Sequence, residues 1–186
     1  MSAAGSEPIL TLEPLIEAVR RGVEGQRWQL SGLQKTTSHE FEGRWEGEST
    51  RSSYLFFHAE TDFEDASIDV YLDETSRGLT GNLALVVDLV PLAGLGSAER
   101  VLRVLGALSD VSLPAGYARP ITLRMRLKDG REEPGLAQTE VRFKIQIPRA
   151  TIARGASAVM DLAARCVESF DAILRAPELL AMLRPD

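Results

Sequence analysis

Few groups in this sequence are equipped to do chemistry. His39 and His58 are its two histidines and its ordinary bases at neutral pH. Neither belongs to an H-x-x-x-H pair, and neither stands beside a nucleophile elbow. Both are therefore expected to be surface or structural residues. Cys166, the single cysteine, falls on the apolar stripe of a helical pattern, where a thiol acts as a small hydrophobe. Gly94-Leu95-Gly96-Ser97 joins a strand pattern to a helix pattern. It lacks the third glycine of a dinucleotide fingerprint and the lysine of a phosphate-binding loop, so a turn is expected. Asp62, Glu64, Asp65, Asp69, Asp73 and Glu74 crowd one stretch without the glycine and closing glutamate of a calcium loop, and are expected to be solvated charge. No catalytic, cofactor-binding or metal-ligating residue is assigned, and no cofactor is implied.

The most prominent local feature is a basic hairpin face. Ile121, Leu123, Met125 and Leu127 alternate with Thr122, Arg124, Arg126 and Lys128, and Val141, Phe143, Ile145 and Ile147 alternate with Arg142, Lys144 and Gln146. Such alternation predicts two antiparallel strands with one buried and one wet face. Arg124, Arg126, Lys128, Arg142 and Lys144 would share the wet face. It would suit an acidic peptide or nucleic acid, but no aromatic residue interleaves these cations for base stacking. Pairing with an acidic strand such as Glu40–Glu48 is the expected structural role.

The elements that must position these residues follow from periodicity. Residues 1–8 read as a disordered tail without the charged start and apolar run of a signal peptide. Thr11 is expected to cap a helix reaching about Val23, with Leu12, Leu15, Ile16, Val19 and Val23 on one side. Between Trp28 and Val90 come short alternating runs: Phe41 and Trp45 among glutamates, then Ser53, Leu55, Phe57 and Ala59 against Tyr54, Phe56 and His58, then Ile68, Val70 and Leu72 against Asp69, Tyr71 and Asp73. Leu83–Val90 is apolar on both faces except for Asn82 and Asp88, which predicts a central strand. A middle helix is expected over about 98–110, and a long one over about Thr151–Arg175. A short apolar helical tail, 177–186, follows Pro177. The expected architecture is α+β, a single domain over 9–176. An antiparallel sheet would carry an N-terminal helix, a middle helix and a long C-terminal helix on one face.

Composition narrows the functions. The 186 residues carry a formal net charge of −6, which disfavours nucleic acid and anionic lipid as partners. No apolar run approaches the roughly 20 residues of a membrane helix. One cysteine excludes an intramolecular disulfide, and the chain reads as cytoplasmic.

The passages LALVVDLVPLAGLGSAERVLRVLGALSDVSLP, Leu83–Pro114, and TEVRFKIQIPRATIARGASAVMDLAARCVESFDAIL, Thr139–Leu174, together with the element order, resemble type III secretion chaperones and the related YbjN-type domains. The resemblance implies a homodimer that holds another protein. The middle helix would supply the two-fold contact through Val101, Leu102, Leu105 and Leu108. Tyr54, Phe56 and Tyr71 would be client contacts on the sheet. The expected function is thus a non-enzymatic protein-binding module, chaperone- or adaptor-like, acting through its sheet or an apolar helix face. The alternative is a small-molecule-binding protein or an enzyme with a pocket between sheet and C-terminal helix.

Overall fold

The computed structural model describes residues 7–38, 50–60, 63, 65–89, 98–113, 121–124, 127–128, 131–132 and 139–183. The alternating pattern at 41–48, the Gly94–Ser97 link and His39 lie outside them. Helix α1 (Leu12–Glu24) opens the order. It is followed by β1 (Trp28–Ser38), β2 (Thr50–Ala59), β3 (Ala66–Thr75), β4 (Gly78–Leu89) and helix α2 (Ala98–Ser112). Then come β5 (Ile121–Arg124), β6 (Leu127–Lys128), β7 (Arg131–Glu132) and β8 (Thr139–Gln146). Helices α3 (Arg149–Ala153), α4 (Ala156–Leu174) and α5 (Pro177–Leu183) close the chain.

Six strands form one antiparallel sheet in the order β1-β2-β3-β4-β8-β5. This is the α+β architecture expected from the sequence. The first four strands are a meander. The chain then leaves, adds α2 and the outermost strand β5, and returns to set β8 between β4 and β5. The expected strand over 121–128 is shorter than its alternation suggested: β5 pairs with β8 only through Arg124, and Leu127–Lys128 forms its own two-residue ladder with Arg131–Glu132 around Asp129-Gly130.

Period two puts every second side chain of the sheet on the helix side. Leu55 and Phe57, Ile68 and Leu72, Leu83 and Leu85, and Phe143 and Ile145 are all fully buried there, in one cluster with Phe170, Ile173 and Leu174 of α4. Trp28 closes the cluster, and its Nε1 donates to Asp171 Oδ1 of α4 at 3.1 Å. These side chains lie in the layer between the sheet and the C-terminal helix. Gly22 lets α1 cross α4 closely: a Cβ there would come within 2.5 Å of Met160 O and 2.7 Å of Ala163 Cβ.

Two helix expectations are corrected. Thr11 makes no side-chain cap; instead Glu74 Oε2, from the end of β3, accepts the Leu12 amide at 2.6 Å and ties the start of α1 to the sheet. The expected helix 151–175 is two helices, because Gly155 takes φ 96°, a left-handed conformation that breaks the run. The apolar period continued across the break and hid it. The tail after Pro177 is packed, with Leu179 fully buried. No helix among the described residues is long and apolar enough to cross a membrane.

Candidate functional site: the outer face of the sheet

The second set of alternating side chains points away from the helices. In register across the strands run Phe56, Asp69, Ala84 and Lys144; beside them run Tyr54, Tyr71, Asn82 and Gln146; on the other side run His58, Ser67, Val86 and Arg142. Tyr54 and Phe56 are each 37% exposed. Ala84 and Val86 are buried yet stand apart from the core cluster.

What covers them is an ion pair that spans β4. Asp69 on β3 faces Ala84, and Arg142 on β8 faces Val86. Their side chains meet over the strand between, Arg142 Nη1 lying 3.1 Å from Asp69 Oδ2. Arg142 Nε also donates to Glu140 Oε1 at 2.7 Å, and Ser67 Oγ donates to Asp69 at 3.1 Å. Burial pushes the Asp69 carboxyl above its usual range, against the pull of the Arg142 guanidinium. For Arg142, burial works against the charge, but the Glu140 hydrogen bond and the fields of Glu140 and Asp69 raise it.

Between this bridge and the aromatic residues lies a hollow of about 350 Å³, with Ala84 and Asn82 beneath it and Tyr54, Phe56, Tyr71 and Lys144 around it. The hollow exists because the two β4 residues are short between longer neighbours. Tyr54 and Tyr71 are cross-strand partners with ring centroids 4.8 Å apart, tilted by 44°. Ser52 Oγ, 3.4 Å from the Tyr71 hydroxyl, donates to Asp73 at 2.7 Å.

The structure brings together two groups the sequence kept apart. Tyr54, Phe56 and Tyr71 share one sheet face with Arg142 and Lys144, so the aromatic residues that the cationic strands themselves lack are supplied by β2 and β3. The reason is topological: β4 alone separates β3 from β8. The acidic partners of Arg142 are Asp69 and Glu140, whereas Glu40–Glu48 lies outside the described residues. Arg124 is exposed at the β5 end of the face, 3.8 Å from Glu140. Arg126 and the Lys128 side chain lie outside the described residues. Asn82 and Ala84 were missed as site residues, although an amide within an apolar strand was a visible signal for Asn82.

The expected α2 contacts do not form one exposed stripe. Val101 and Leu105 are fully buried and Leu108 is half-buried, while Leu102 is 41% exposed. The other exposed large apolar residue among the described side chains of α2, Val111, lies nine residues on, about 180° around the helix. His58 is exposed among Gln29 and Ser67. Cys166 is fully buried, and burial pushes its thiol up to about 12, far from a nucleophile. No cluster of histidine, cysteine and carboxylate side chains among the described residues could hold a metal. A second hollow of about 310 Å³, largely apolar, opens between α1 and α4 at Pro14, Ala18, Ala156 and Met160.

No known family model, curated protein or solved structure matches the chain.

Proposed function

We propose that the protein is a chaperone- or adaptor-like binding module that holds a segment of a partner protein against the sheet face that no described helix overlays. One observation carries this reading. An aromatic group of three, Tyr54, Phe56 and Tyr71, stands with Lys144 around a hollow on a face backed by a rigid sheet and overlaid by no described helix. Aromatic side chains with a polar tip gain contact area at small entropic cost, and they dominate protein-binding surfaces. The element order adds the resemblance to secretion chaperones, whose clients are proteins. The proposal seats the partner on the sheet and not on α2, where Leu102 alone of the four expected contacts is exposed.

The test begins with gentle purification of the tagged protein from its own cells and identification of what accompanies it by mass spectrometry. A single abundant protein at near-equal amount is expected. A triple variant, Tyr54→Ser, Phe56→Ser and Tyr71→Ser, is expected to lose that protein while keeping its melting temperature within a few degrees. A partner that stays bound to the folded triple variant defeats the proposal.

A further inference from the structure

We propose that the hollow recognises a side-chain carboxylate of the partner segment, seated on Lys144, with an aromatic side chain of the same segment against Tyr54 and Tyr71. The inference rests on the reading of the sheet face as the partner-binding surface, and deepens it into a recognition rule.

The charges of the face single out Lys144. Arg142 is committed to Asp69 and Glu140, and Arg124 lies beside Glu140. Lys144 has no ion pair within 4.0 Å among the described residues. Its neighbour on β4 is Ala84, whose methyl group is too short to cover an ammonium, and the next residue of the row, Asp69 on β3, is held by Arg142. A half-buried cation without a counter-charge is the natural seat for an anion brought by a partner. Asn82, in the adjoining row, makes no side-chain hydrogen bond to a described residue, and its amide can serve the second carboxylate oxygen.

The same inventory excludes a polyanion. Asp69, Asp73, Asp88 and Glu140 share the face with these cations. A nucleic-acid backbone laid across it would meet four carboxylates, whereas a single carboxylate on Lys144 shares the hollow with Asp69 alone, whose charge Arg142 already offsets. The net charge of −6 acts in the same direction.

Spacing sets the form of the segment. Lys144 stands two strand steps and one row from Tyr71, about 12 Å at roughly 4.8 Å per strand step and about 7 Å per row. In an extended chain, residues i and i+2 lie on one side about 7 Å apart, and the glutamate stem spans the remainder. The rule is therefore an aromatic residue and a glutamate two apart in an extended segment.

Nuclear magnetic resonance titration of the full chain tests this with acetyl-Gly-Phe-Ser-Glu-Gly-amide and its glutamine counterpart, read at the Ala84 methyl and Lys144 signals. The glutamate peptide is expected to bind about fivefold more tightly, the size of a half-exposed charge-assisted contact. Lys144→Met should abolish that preference and leave the glutamine peptide unchanged, while Lys144→Arg should keep it. Ala84→Leu, which fills the hollow, should weaken both peptides in a protein whose melting temperature shows it folded. Equal affinity for the two peptides, a preference that survives Lys144→Met, or no shift at millimolar peptide overturns the inference. So does free 3-phenylpropanoate binding as tightly as the glutamate peptide, which would mark the guest as a small molecule. Loss of the co-purified partner in the triple variant, without a glutamate preference, would defeat only the recognition rule and leave the binding face standing.

Discussion

The two faces of the sheet are built on the same strands, often from adjacent residues, and differ in almost every physical respect. On the helix side Leu55, Phe57, Ile68, Leu72 and Phe143 meet α1 and α4 with no exposure. One step along each strand, Tyr54, Phe56, Asp69, Tyr71 and Arg142 stand on a surface with its own small ion-paired cover over Ala84 and Val86. Aromatic side chains appear on both faces, but only one face surrounds them with packed atoms. Residue type alone therefore does not separate a packing aromatic from a binding one; the neighbour across the strand does.

The sharpest way to break this contrast uses two adjacent phenylalanines. Phe57→Ala should cost about 3–5 kcal/mol in urea unfolding, because it empties a fully buried site. Phe56→Ala should cost about 1 kcal/mol or less, and should instead weaken the partner. Similar losses for both would mean that the faces are not distinct. Glycines give a second comparison. At Gly81, on the core side, an added Cβ would sit 2.6 Å from Leu72 Cδ2 and 3.1 Å from Tyr71 O, so Gly81→Ala should destabilise by about 1–3 kcal/mol. At Gly32, on the outer side, it would meet only the Phe56 side chain, Cδ2 at 3.4 Å and Cβ at 4.0 Å, and Gly32→Ala should leave the denaturation midpoint nearly unchanged. The smallest effect concerns the acidic end of the outer face, where Asp88 stands directly opposite Glu140. Burial, then Glu140 and Asp65, raise the Asp88 carboxyl above its usual range. The folded chain thus holds that proton more tightly than the unfolded chain. Stability from this group falls as pH rises from the ordinary carboxylate range through the raised value, and stays reduced above it. Asp88→Asn should accordingly stabilise by about 0.2–1 kcal/mol at neutral pH, with the gain vanishing in acid. A gain that persists in acid would show another cause.

How much of this was legible depends on how far apart the interacting residues lie in sequence. Alternation at Ile68–Leu72 and Val141–Ile147 marked both faces of β3 and β8 directly. β1 was not singled out as a strand, since its alternation is broken: Leu30 faces Phe57 and Gly32 faces Phe56, so Ser31 is one residue too many. Its hydroxyl donates to Phe56 O at 3.0 Å and holds the bulge. The site was legible in parts. Tyr54, Phe56 and Tyr71 were named as contacts, and Arg142 and Lys144 as a cationic face. Their meeting depends on β8 pairing with β4, a long-range choice that no local period encodes. The Asp69–Arg142 bridge was illegible for the same reason.

That insertion of β8 between β4 and β5 also sets a timetable. Leu89 pairs with Thr139, about fifty residues later, and Leu83 with Ile145. During synthesis at roughly 5–20 residues per second, the growing chain carries the edge of its most apolar strand unmatched for about 3–10 s. Over that interval the ladder of β4 is an open invitation to any other extended chain nearby. The emerging polypeptide is thus most in need of protection before β8 arrives to close the sheet.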